Sequence, residues 1–201
     1  MDLKKNALLI IFSIFSISLF AQENVLKSDF KVELGVNRSE IPFTRLKTEG
    51  VNGGFGWNVN MLYNLKKGRF FAETGLGYRN MNFLISEDLS QVRKFEAKAS
   101  SINIPILIGT NFIKGDHKVL PILKTGINLD YTINLNSERS DILTKSDLQS
   151  LNLTYNISAG VKINKVELLL SYNTDLNKYI KTINNNNSYI GLKLAYNFFS
   201  N

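Results

Sequence analysis

His117 is the only histidine in the chain, and its imidazole would be the natural centre for acid–base or metal chemistry near neutral pH. It ends a short polar turn, Lys114 to His117, in which Asp116 is the one neighbour of suitable type. A metal centre or an activated nucleophile needs several convergent groups, so His117 reads as an exposed turn residue. The chain has no cysteine, which excludes thiolate catalysis, cysteine-ligated metals and disulfides. Glu73 and Glu167 are of the type that shares acid and base roles in hydrolysis, yet nothing in their spacing sets them side by side. Gly75-Leu-Gly77 and Gly53-Gly54-Phe-Gly56 echo phosphate-binding loops, but they precede no helix and packing explains them better. Asn152-Leu-Thr154 matches a glycosylation acceptor and reads instead as two polar residues on one face of a strand. No catalytic, cofactor-binding or metal-binding residue is assigned.

Charges that recur with period two carry more information. Lys31, Glu33, Arg69, Glu73, Arg79, Lys124, Asp130, Lys162, Glu167, Asp175 and Lys193 share one strand face with Gly35, Gly54, Gly56, Gly75, Gly77, Gly109, Gly126, Gly160 and Gly191. Among them Glu33, Glu73, Arg79, Lys124, Lys162 and Lys193 form the expected charge network. Ionisable groups at membrane depth often mark a proton or ion path. They serve equally as a structural network that fills and neutralises a closed lumen, and the narrow bore of a small barrel favours that role.

The elements that must position these charges are strands. Period-two alternation places eight of them at about 29–37, 53–65, 69–83, 100–113, 118–134, 150–163, 166–175 and 188–199. The opposite face is apolar throughout, as in Phe55, Trp57, Val59, Met61, Tyr63 and Leu65, or Ile102, Ile104, Ile106 and Ile108. Short turns at Lys66-Lys67-Gly68, Lys114 to His117 and Asn164-Lys165 alternate with long loops at about 38–52, 84–99, 135–149 and 176–187. Outer-membrane barrels show this asymmetry, with short periplasmic turns and longer extracellular loops.

Both a soluble barrel and a membrane barrel have one apolar face, so side-chain volume must decide which face is inside. An eight-stranded barrel has room within only for side chains. The glycines and charges therefore point inward, and Trp57, Tyr78, Tyr131 and Tyr172 point to lipid. A lysine or arginine facing the middle of a bilayer would cost about 2–4 kcal/mol. The expected fold is all-β: an eight-stranded antiparallel up-and-down transmembrane β-barrel. Pro105 removes a ladder donor within the fourth strand, so an irregularity is expected there.

Lys4 and Lys5, the apolar run Ala7 to Phe20, and Ala21 before Gln22-Glu23 have the layout of a cleaved signal peptide. The expected organisation is a signal at 1–21, a short periplasmic lead at 22–28 and one barrel domain at 29–201, exported to the cell outer membrane. The net charge of +7 comes from lysines scattered among acids, which argues against nucleic acid. Expected partners are outer-membrane lipid and an envelope or extracellular protein met through the loops, with no cofactor.

The segments Ser101-Ile-Asn-Ile-Pro-Ile-Leu-Ile-Gly109, Lys118 to Tyr131 and Tyr189-Ile-Gly-Leu-Lys-Leu-Ala-Tyr-Asn-Phe198 resemble the small outer-membrane β-barrel proteins of Bacteroidetes, often called PorT-like. The resemblance covers the mature chain in layout. The residues themselves lead to a non-enzymatic barrel with a closed polar lumen and four longer extracellular loops, structural or surface-binding in role. The resemblance implies an alternative, an accessory component of a PorT-type protein secretion system. A narrow pore and a membrane-embedded lipid-modifying enzyme are the further alternatives.

Overall fold

Residues that alternate between large apolar and small or polar side chains favour extended backbone, and most of the described residues are strand. The computed structural model describes residues 27–40, 49–89, 91–113, 118–138, 143–181 and 187–198. The strands are β1 (Lys27–Glu40), β2 (Glu49–Gly53), β3 (Phe55–Lys67), β4 (Phe70–Leu89), β5 (Gln91–Asn111), β6 (Val119–Ser137), β7 (Leu151–Ile163), β8 (Val166–Asp175) and β9 (Ser188–Asn197). One 3-10 turn, Lys145–Asp147, lies between β6 and β7.

Every ladder is antiparallel, and β1 pairs with β3 on one side and β9 on the other. The sheet thus closes on itself. β2 and β3 make one stave, because both pair with β4. They are separated by a bulge in which Gly54 to Gly56 stand opposite only Met81 and Asn82. Nine segments therefore build eight staves in up-and-down order. The tight turns use backbone that favours glycine or asparagine: Gly68 has φ 59° and Asn164 has φ 53°.

The faces settle which side is lipid. Trp57 is 49% exposed and Leu170 61%, whereas Lys31 is fully buried and Glu73 2% exposed. A continuous apolar exterior around a buried charged interior is the inverse of a water-soluble domain and the pattern of a membrane barrel. Small residues on the inner face leave room for the polar ones. A side chain at Gly77 would overlap Asn60 and Asn103, and one at Gly109 would strike the Phe71 ring.

Several sequence boundaries need correction. Residues 84–99, expected as a long loop, instead continue the β4–β5 hairpin as far as the Leu89–Gln91 pair. Charges such as Glu87 and Arg93 read as loop signals along the chain, but the ladder sets these two directly opposite each other. The expected loop at 38–52 likewise loses its ends to β1 and β2, and that at 135–149 contains the end of β6 and the 3-10 turn. At Pro105 the β4–β5 pairing lapses: partners run to Thr74–Ile106 and resume at Gly77–Asn103, in one register. The register shift in β5 lies elsewhere, at Ser100/Ser101, where Ile133 of β6 is the extra residue. The expected signal at 1–21 and the turn holding His117 lie outside the described residues.

Candidate functional site

Inward-pointing parity brings charges from distant strands into one lumen. Lys31 of β1 is ion-paired with Glu73 of β4, and its Nζ lies 3.1 Å from Glu167 Oε2 of β8. Lys124 of β6 completes the group, with Nζ 2.6 Å from Glu167 and 3.2 Å from Glu73. Two lysines and two glutamates thus alternate in a quartet closed to water. Asn197 Nδ2 donates to Glu167 at 3.3 Å, and Lys124 Nζ lies 5.7 Å from the Phe71 ring centroid. Phe71 packs with Ile122 and Leu169 beside the quartet. A further pair, Lys193 with Glu33 at 3.1 Å, is supported by Asn60 Nδ2 donating to Glu33 at 2.9 Å.

A second cluster occupies the outer half. Arg79 Nη1 bonds Asp130 Oδ2 at 2.8 Å, and the guanidinium stacks 5.0 Å from the centroid of the Tyr189 ring. Thr154 Oγ1 lies between Asp130 Oδ2 at 3.1 Å and Asp175 Oδ1 at 2.9 Å. A hydroxyl has one hydrogen to give. The two carboxyl groups share or compete for that one hydrogen.

Above this cluster the outer segments fold inward. Leu143, Leu148, Tyr179 and Ile180 pack on Met81, Phe83, Ala97 and Ala99 in one buried apolar group. The Leu148–Ile180 bridge, Gln149 N donating to Tyr179 O at 2.8 Å and Lys181 N donating to Asp147 O at 2.8 Å tie the two segments together. The 3-10 turn has its own cap: the Asp147 carboxylate accepts from Thr144 N at 2.7 Å and from Thr144 Oγ1 at 2.6 Å. These bonds hold the Asp147 carboxyl below its ordinary range.

Of the expected network, Glu73 and Lys124 sit in the quartet, Glu33 and Lys193 form the adjacent pair, and Arg79 belongs to the outer cluster. Lys162 is half-buried opposite Glu167 in the β7–β8 ladder and stays outside the quartet. Lys31, Asp130 and Glu167 lie outside the expected network although their strand parity nominates them. The packing of Leu143, Leu148, Tyr179 and Ile180 had no signal, since these segments carry no strand period. Among the described residues no group of three or more His, Asp or Glu lies close enough to hold a metal ion.

Comparison with known proteins agrees with this geometry. Residues 20–181 match the family model described as the outer membrane protein beta-barrel domain. The chain belongs to that family. It is an outer-membrane β-barrel of the small eight-stranded kind, and the match stays at the level of the broad family without singling out a PorT-like branch. No curated protein matches. Among solved structures, Neisserial surface protein A is similar at 10% identity and a TM-score of 0.52, over 87% of this chain and all of that one. OprG from Pseudomonas aeruginosa aligns at 11% identity and a TM-score of 0.48, over 86% of this chain and 97% of that one. At 10% identity the likeness to Neisserial surface protein A is one of fold.

Proposed function

We propose that this family member is a non-enzymatic barrel with a closed lumen, which anchors and presents an outward surface built from its loops. The observation that carries the reading is the filled interior. The Lys31–Glu73–Lys124–Glu167 quartet crosses the lumen, and the apolar group of Leu143, Leu148, Tyr179 and Ile180 covers its outer end. Ion pairs satisfied by one another leave no open coordination for a passing ion, and an apolar cover discourages water. Binding work then falls to the loops, which a rigid scaffold displays to the exterior, with residues 1–21 serving as the export signal.

Conductance of the refolded protein in planar bilayers tests the reading. A closed barrel gives only background current, and stable stepwise openings would overturn it. Incubation with phospholipid and lipopolysaccharide tests the non-enzymatic part, because release of acyl chains by folded protein and not by boiled protein would sink it. N-terminal sequencing of membrane-extracted protein checks the signal, with a mature start near residue 22 expected.

A further inference from the structure

The two ends of the barrel differ in charge: among the described residues the end with the short turns presents basic side chains at its surface, and no acid is exposed there. Lys27 of β1, Lys66 and Lys67 at the end of β3, Arg69 before β4, Lys118 before β6 and Lys165 in the β7–β8 turn all lie at this end. Lys27, Arg69, Lys118 and Lys165 are exposed, and Lys66 and Lys67 half-buried. The acids on the described strands at this level, Asp29 and Glu167, are both buried, and Glu167 is already held by Lys31 and Lys124. The ladders bring like charges together: Lys27 stands directly opposite Lys66, and Lys118 O accepts from Asn164 N at 3.2 Å, beside Lys165. Like charges facing each other across a ladder are destabilising. At the outer end the charges are mixed, as in Glu96 and Lys98 at 3.5 Å.

Strand parity shows where these cations are aimed. Lys27, Lys66, Arg69 and Lys118 continue the inward face of their strands, in step with Asp29, Asn64, Phe71 and Leu120. They therefore ring the mouth of the barrel. The lipid-facing perimeter at this level is aromatic instead, with Phe30, Tyr63, Phe70, Phe112, Tyr196 and Phe198 exposed. That arrangement separates a greasy collar in the membrane interface from a basic disc that looks into the periplasm.

We infer that the periplasmic mouth binds an extended polyanion, a carboxylate-bearing polymer such as the peptide-crosslinked glycan of the cell wall. Specific protein interfaces have cores rich in aromatic residues and arginine and poor in lysine. This disc has the opposite make-up: Lys27, Lys66, Lys118 and Lys165 with the single arginine Arg69. An array of lysine point charges on a flat end suits a repetitive partner that needs charge more than shape. Headgroup phosphates would meet the perimeter, which is aromatic, before they met the mouth.

Co-sedimentation of the full-length folded protein, in nanodiscs of zwitterionic lipid, with purified peptidoglycan sacculi tests this. Wild-type protein should pellet with sacculi at low salt and be released by roughly 0.5 M salt or by soluble polyglutamate. The combined variant Lys66→Gln, Arg69→Gln, Lys118→Gln and Lys165→Gln should bind at least about tenfold more weakly. The corresponding Lys→Arg changes at 66, 118 and 165 should retain binding, and so should Lys98→Gln at the outer end. Heat-modifiable mobility confirms that each variant is folded, and the polyglutamate arm stands on wild-type protein alone if the combined variant does not fold. Failure of wild-type protein to pellet, release that ignores salt and polyglutamate, or equal binding by a folded glutamine variant would each overturn the proposal. So would retention that tracks anionic lipid added to the nanodisc, which would assign the charges to headgroups, or capture only by an acidic periplasmic protein.

Discussion

The two buried charge clusters of this lumen are built to different rules. In the half nearer the short turns two lysines meet two glutamates, every charge has two opposite partners, and no side-chain polar atom of the four is left without a hydrogen bond. Toward the other end Arg79 pairs with Asp130 alone, Asp175 reaches that pair only through Thr154, and Asp130 Oδ1, Asp175 Oδ2 and Arg79 Nε have no partner among the described residues. A balanced buried network is rigid because removing any member strands the rest. An unbalanced one tolerates loss of its surplus member. The quartet therefore reads as the structural lock of the barrel, and the outer cluster as the place where neutralisation is tolerated.

The largest expected effect tests the lock. Lys124→Met leaves Glu73 and Glu167 with half their counter-charge in a dry interior, and unfolding in urea should show a loss of about 3–5 kcal/mol. If Lys124→Met is nearly neutral, the quartet is not what holds the lumen together. Asp130→Asn should come next, at about 2–3 kcal/mol, because it takes the carboxylate from Arg79. Asp175→Asn sharpens the contrast: an amide can donate to Thr154 and keep both of its contacts, so its cost should stay within about 1 kcal/mol. Equal losses for the two aspartates would erase the distinction between the clusters.

Much of this was legible in the sequence for a simple reason. Period two records which face each residue takes, so the inward set of Glu33, Glu73, Arg79, Lys124 and Lys193 and the outward set of Trp57, Tyr131 and Tyr172 followed from local pattern alone. Partner choice did not follow. Lys31 meets Glu73 across 42 residues and Glu167 across 136, and such meetings depend on the stagger of all eight staves, which no local pattern records. The continuation of β4 and β5 was hidden because opposite charges across a ladder look, along one chain, like the polar composition of a loop. The outer cover was hidden for another reason, since Leu148 and Ile180 join through a single bridge instead of a repeating pattern.

Smaller effects probe that outer cover against the barrel below it. Leu148→Ala should loosen the packing of Tyr179 and Ile180 by about 2 kcal/mol. Because the staves are untouched, the change should appear as faster limited proteolysis within 143–181, with the urea midpoint of the barrel little altered. A matching fall in the barrel midpoint would mean that cover and barrel unfold as one unit. The smallest effect concerns the Asp147 cap. Its carboxyl is held below the ordinary range by the Thr144 bonds, so its contribution is present above the usual aspartate titration and is lost as pH falls through the lowered value. Asp147→Asn should speed amide exchange at Thr144 and Leu148 near neutral pH by a few-fold, about 0.5–1 kcal/mol, and the difference between the two proteins at matched pH should shrink on acidification.

The seam between β1 and β9 has a consequence for how the molecule is made. The first and last strands are neighbours, with Lys31 opposite Asn197, so the ring cannot join until synthesis and delivery of the final strand are complete. Lys31 sits on that seam and reaches Glu73 and Glu167 across the bore, so the ion pairs that lock the interior form only as the ring shuts. Until then the chain carries two raw edges and four charges in search of partners. Insertion into the membrane should accordingly be slow and abrupt, as expected where long-range contacts dominate. A chain truncated before Tyr189 would remain an open sheet, unable to conceal its own charges from the bilayer.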